Sequence, residues 1–219
     1  MRILALCFFL LSGIGSAWAD TTFYYQSYHE KTHEKVNEFF IRIGDLQNNQ
    51  RHVWWEEKEG SKLTREECIL DPSWGTLAWH VVVPADQTDY QGKRVGNNLF
   101  LKGKFRGRDI DKKVAIGKEP FYYNPKLGLR ALVASKAKRV EFWAIRHDTL
   151  GEFKMVAVKK GRKVIDLPGK KVEAETVFWF AKIDIAKLFK RTYWFRVSDG
   201  VFVKENVSGD EIRLLTGES

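Results

Sequence analysis

Apolar and polar positions alternate along most of this chain, most cleanly over Arg191–Leu215 (RTYWFRVSDGVFVKENVSGDEIRLL). A three-residue loop at Ser198-Asp199-Gly200, with Gly200 left-handed, would set Tyr193, Phe195, Val197, Val201 and Val203 on one face of a hairpin. Trp194, Arg196, Phe202 and Lys204 then take the other face. Arg196–Phe202 and Trp194–Lys204 become cross-strand cation–π pairs. A two-residue loop would set Lys204 against Phe195 among apolar neighbours, so the longer loop is expected.

The period of two recurs upstream. Phe23–Tyr28, Glu34–Ile43, His52–Lys58 and Lys62–Leu70 read as short strands separated by polar turns, with Gly44–Gln50 as a loop. Leu77–Val83 is apolar on both faces and is expected to be covered on both. Pro84–Asn97 reads as a polar connection, and Leu99–Arg106 with Asp109–Ile116 as a hairpin. Strands resume at Arg139–Arg146, Phe153–Lys159, Lys163–Leu167 and Lys171–Ile183, and Asp184 is placed to cap a helical turn over Ile185–Lys190. One stretch departs from this rhythm. Asn124 is a good N-cap, Pro125 suits the first helical position, and Lys126–Ser135 forms a short apolar helix. The expected fold is all-β and mainly antiparallel: one strongly curved sheet or half-barrel of about a dozen strands, with one or two short helices on the concave side.

Residues 1–19 are read separately. Arg2, the apolar run Ile3–Ile14 and Ala17-Trp18-Ala19 make a signal peptide cleaved after Ala19, too short to span a bilayer. A single domain over residues 20–219, working in the periplasm, follows. Of the two cysteines, only Cys68 lies beyond this leader, so no internal disulfide is available and packing must hold the domain. Cys68 reads as a small buried hydrophobe, with a reactive thiol as the alternative.

The 219 residues carry 37 Lys and Arg against 28 Asp and Glu. Basic residues cluster over Lys102–Lys113 and Lys159–Lys171. They suit solvated strand faces and protected edges, or attraction to an anionic membrane surface; nucleic acid is not an expected partner of an exported chain.

Motifs for chemistry are sparse. His29-Glu30-Lys31-Thr32-His33 matches H-E-x-x-H in letters, but the zinc mechanism needs both histidines on one face of a buried helix, and this stretch falls at a hairpin turn. Ser73 lacks a nucleophile elbow, and Asp109/Asp111 and Glu56/Glu57 read as solvated charge. No metal, cofactor or catalytic residue is expected. The aromatic load of 8 Trp, 7 Tyr and 15 Phe either fills a core or lines a cavity. The nominated cavity lining is Trp79, Leu127, Leu132, Trp143, Phe178, Phe180 and Trp194.

VEFWAIRHDTL at Val140–Leu150, VEAETV and TYWFRVSDGVFVKEN together resemble uncharacterised exported β-sheet proteins of bacteria. Those proteins are described as similar to the lipoprotein-localisation (LolA/LolB-like) half-barrels. The resemblance implies an antiparallel half-barrel wrapped on a helix, and binding of acyl chains or another amphiphile. The expectation is a non-catalytic, monomeric carrier for a lipid or lipidated protein. An envelope assembly protein with a filled core, acting through protein–protein contacts, is the alternative.

Overall fold

The computed structural model describes residues 20–29, 31–182, 191–207 and 210–218. The leader and the proposed turn at Ile185–Lys190 lie outside them. The described residues form one unclosed, curved, antiparallel sheet of fourteen strands. In chain order these are β1 (Thr21–His29), β2 (Lys35–Gln47), β3 (Gln50–Glu59), β4 (Lys62–Leu70), β5 (Thr76–Val83), β6 (Thr88–Val95), β7 (Asn98–Phe105) and β8 (Arg108–Ala115). After two short helices, α1 (Pro125–Gly128) and α2 (Arg130–Ala134), follow β9 (Arg139–Ile145), β10 (Glu152–Leu167), β11 (Lys170–Ala181), β12 (Arg191–Arg196), β13 (Phe202–Val207) and β14 (Asp210–Glu218). None of the helices among the described residues is long and apolar enough to cross a membrane.

The spatial order runs β8 back to β1, then β14 back to β9. Two meanders thus join where β1 pairs with β14, from Thr22↔Glu218 to His29↔Asp210. The two end strands of the sheet are β8 and β9. Lys112 of β8 reaches across and donates to the Leu150 carbonyl (3.0 Å), with Glu152 3.9 Å away.

The segment between β8 and the helices crosses the interior. Pro120 and Tyr122 exchange backbone hydrogen bonds with Trp143 of β9 (2.8 and 2.9 Å), and Phe121 accepts from Thr76 at the start of β5 (2.8 Å). α1 begins as its residues require: the Asn124 side chain accepts the Lys126 N–H (3.0 Å) and Pro125 follows the cap. Leu127, Leu129 and Leu132 are buried, so the two helical turns plug the concave side.

Period two explains the core. Tyr25, Phe39 and Trp55, on adjacent strands, stack with ring centroids 4.8 and 4.3 Å apart. Trp79 stacks on Tyr123 (5.3 Å) and packs on Phe121 (5.1 Å). Burying such rings contributes roughly 2–3 kcal/mol each, which serves where the described residues hold one free cysteine and no disulfide.

Four local departures from the sequence reading have physical causes. Gly44–Gln50 is not a loop: β2 runs to Gln47, and Asn48-Asn49 turn tightly with φ of 48° and 60°. Pro84–Asn97 contains β6, whose Thr88, Tyr90 and Gly92 face inward while Asp89, Gln91 and Lys93 face out. The two strands expected over Phe153–Leu167 are one, β10, interrupted by a bulge between Lys159 and Gly161. In the last hairpin Tyr193↔Glu205 and Trp194↔Lys204 pair as expected, but a bulge at Val203 sets Phe195 opposite Phe202. Gly200 is left-handed (φ 70°). Arg196 therefore forks onto Asp199 (2.9 and 2.6 Å) instead of lying over Phe202. Lys204 does lie over Trp194, 5.6 Å from its centroid.

Candidate functional site

The nominated cavity residues do not gather around one space. Trp79, Leu127 and Leu132 are buried in the packed interior. Trp143 is half-buried beside β9's edge and donates its indole N–H to Glu119 (3.0 Å). Trp194 is buried, with Lys163 and Lys204 over its ring. Phe178 and Phe180 pair with Val158 and Val156, on the face opposite the inward-turned Val177 and Trp179. The VFWFA run is apolar on both faces, so its composition alone could not say which residues turn inward.

Open space occurs elsewhere on the concave side. A cavity of about 690 Å³ lies between β3 and β4 on one side and β9 to β12 on the other, with Asn124, Pro125 and Lys126 beside it. That volume suits a small ligand or part of a larger one. One wall is apolar: Ala144, Ile145, Phe153, Met155 and Trp179. The opposite wall carries Trp55, Glu57, Glu66 and Tyr123. A second cavity of about 300 Å³ shares Glu57, Glu66, His147 and Asp148 with the first, extending the trough toward Tyr90 and Phe105.

α1 supplies the charge at the floor. The Lys126 ammonium is 2.9 Å from Glu205 Oε2, and Glu205, wholly buried, also accepts from Arg191 (3.1 Å). Trp55, Tyr193 and Phe202 present their rings to the ammonium at 5.4–5.5 Å. Burial alone would lower the Lys126 pKa, but Glu205 outweighs it and holds the ammonium above its ordinary range.

The acidic wall is built by residues distant in sequence. Tyr123 donates its hydroxyl to Glu66 (3.1 Å) and lies 3.2 Å from His147 Nδ1, which is itself 3.4 Å from Glu66. Burial pushes the Tyr123 phenol well above its usual value, so it stays a neutral donor. The His147 ring is about half exposed; loss of solvation on its side toward Tyr123 works against the imidazolium, yet its hydrogen bond with Glu66 outweighs this and raises its pKa above 6.5. Glu57, read from sequence as solvated, faces the trough, and burial raises its carboxyl pKa. Its neighbour Glu56 points out and pairs with Arg65 (2.9 Å). The trough can therefore hold a chain-like apolar body against one wall and a polar group against the other.

The remaining candidates lie apart. His29 ends β1, and His33 sits in the following turn with φ 57°, donating its N–H to the His29 carbonyl (2.8 Å). Glu30 lies outside the described residues. Asp109 and Asp111 are exposed and face Lys104 and Lys102 across the hairpin. Cys68 is buried in the core, and burial pushes its thiol up.

No protein-family model matches the chain. No curated protein is similar enough to count as a relative. A solved structure does share the fold, and two others match with lower TM-scores. A β-barrel-like protein of a domain of unknown function (DUF1849) from Brucella abortus superposes with a TM-score of 0.58 at 9% identity, over 91% of this chain and 97% of that one. The hypothetical lipoprotein YmcC from Escherichia coli K12 gives 0.38 at 11% identity, over 90% and 84%. A DUF1089 family protein from Pseudomonas aeruginosa gives 0.44 at 9% identity, over 78% and 89%. At 9% identity the first of these likenesses is one of architecture alone, that of a β-barrel-like protein.

Proposed function

We infer that this chain is a non-catalytic binding or carrier protein of the bacterial periplasm, holding the apolar part of a lipid, a lipidated protein or another amphiphile in the trough beside α1. The observation that carries this reading is the cavity of about 690 Å³ with an apolar wall, Ala144 to Trp179, facing an ionic one. Its buried charges are used pairwise: Lys126 and Arg191 by Glu205, and Glu66 by Tyr123. Export is supported by Arg2, Ile3–Ile14 and Ala17-Trp18-Ala19. The protein acts as a monomer and without a cofactor. Its basic outer residues bring it to anionic membrane surfaces rather than to nucleic acid. This is the role implied by the resemblance to lipoprotein-localisation half-barrels.

The second reading, an envelope assembly protein with a solid interior, draws on the stacked Tyr25–Phe39–Trp55 rings and the buried helical plug. One experiment separates the two. The protein is purified from its native host, extracted for mass spectrometry of lipids, and titrated with an apolar fluorescent dye. The carrier reading expects a co-purifying amphiphile and a blue shift, both lost in Ala144→Phe, which fills the apolar wall. No amphiphile and no shift in the wild type would reject it in favour of the assembly role.

A further inference from the structure

A third cavity, of about 400 Å³, lies at the other end of the same strands. It is lined from β3 by Arg51, whereas the trough is lined by Glu57, six residues along and about 20 Å away. On the final hairpin the corresponding residues are Arg196 here and Arg191 there.

Its centre is Trp74. The loop that carries it is closed by Asp71, whose carboxylate accepts the N–H groups of Ser73 (2.7 Å) and Gly75 (2.9 Å). Trp74 is held at φ 67°, a conformation that bulky side chains avoid and that clusters at binding sites. Arg51 and Arg130 place their guanidinium carbons 4.1 and 4.0 Å from its ring centroid. Two guanidiniums thus share one indole.

The cluster is short of negative charge. Arg51, Arg130, Lys170 and Arg196 line the cavity against Asp45 and Asp199. The Asp199 carboxylate is taken by the Arg196 fork, and among the described residues Arg130 donates only to the Asp199 backbone carbonyl (3.0 Å). Arg51 Nη1 and Arg130 Nε are buried with no hydrogen-bond partner among the described residues. Buried donors of this kind are normally satisfied. Burial, with Arg51 and Arg196 close by, lowers the Arg130 pKa to about 10. A carboxylate would occupy one guanidinium. Two guanidiniums with an unpartnered N–H each, and a lysine, suit a group with more oxygens and more charge.

We propose that this cavity is an anion site for a phosphoryl group, with Arg51 and Arg130 as its principal donors and Trp74 as the platform that orients them. The phosphoryl group belongs either to a lipid headgroup or to free phosphate. The site is separate from the trough and does not depend on what the trough holds.

The test uses the signal-free chain at about 0.15 M salt, where weak surface attraction is screened. Inorganic phosphate and dihexanoyl phosphatidic acid are titrated separately by calorimetry, with octyl glucoside as an amphiphile lacking phosphate. Saturable binding of either phosphoryl compound is expected, weakened about tenfold or more in Arg51→Gln and less in Arg51→Lys. Arg51 Nη1 donates no hydrogen bond within the described residues, so its variants keep the fold, which circular dichroism verifies. Binding of phosphatidic acid alone identifies a headgroup site; binding of both identifies a free oxyanion site. Failure of both compounds to bind, or affinity unchanged in Arg51→Gln, overturns the proposal. Ala144→Phe in the trough leaves phosphate binding intact, so the two sites fail independently.

Discussion

Gly92 and Trp79 are cross-strand partners, and the indole lies directly over the glycine. A Cβ built on Gly92 falls 2.0 Å from Trp79 Cζ2 and 2.1 Å from Cε2, so Gly92→Ala requires the ring to move by about 1.4 Å to reach ordinary contact at 3.4 Å. The ring has nowhere to go: it is 3% exposed and packed on Phe121 and Tyr123. Overpacking of this kind costs about 1–3 kcal/mol, and loosening two ring pairs adds about 1 kcal/mol each. The reduced freedom of the unfolded chain returns about 0.4–1 kcal/mol. The expected net loss is about 3 kcal/mol, or a melting point lower by about 6–12 °C for a domain of this size. Urea and thermal denaturation of residues 20–219 measure it. Gly96→Ala is the control: its Cβ meets nothing within 4 Å, and its φ of 59° predicts a loss of only about 1 kcal/mol. Trp79→Leu should remove most of the Gly92→Ala penalty in a double-mutant cycle. A Gly92→Ala protein within about 0.5 kcal/mol of wild type, or a penalty unchanged by Trp79→Leu, would refute the packing argument.

Lys126→Met leaves the wholly buried Glu205 with Arg191 alone and should cost about 2–3 kcal/mol in urea unfolding, most of it regained in Lys126→Met/Glu205→Leu. Glu119, hydrogen-bonded by Lys154 and by Trp143, has its carboxyl pKa lowered to about 2. Its contribution to stability is complete above its ordinary 4.5 and is lost as pH falls toward about 2, so Glu119→Gln should flatten the melting point across that window. His147 has the opposite sign: with its pKa raised, its pairing with Glu66 contributes below pH 6.5 and is lost as pH rises through the higher folded value. A wild-type melting curve that falls across neutral pH no more steeply than that of His147→Gln would contradict this.

The strands were legible because a period of two over short aromatic-rich runs fits no helical face, and α1 because Asn124-Pro125 is a local signal. The departures share a local origin. Asn48-Asn49 is a turn whose left-handed pair the side chains only permit, and the bulges at Lys160 and Val203 leave no compositional mark. The trough was less visible. Glu66 meets Tyr123 across 57 positions and His147 meets Tyr123 across 24, so only the path of the chain brings them together. Arg51, Trp74 and Arg130 likewise come from a strand, a loop and a helix.

The seam between β8 and β9 falls in mid-sequence, while β1 and β14, nearly 200 positions apart, lie side by side. Every other neighbouring pair in the sheet is also consecutive along the chain. A circular permutant with β14 joined to β1 and opened at the exposed Lys136-Ala137 would therefore be a plain zigzag, each strand laid beside the one just made. Its most distant contact would become its most local, and it should fold faster than the native order without altering either cavity.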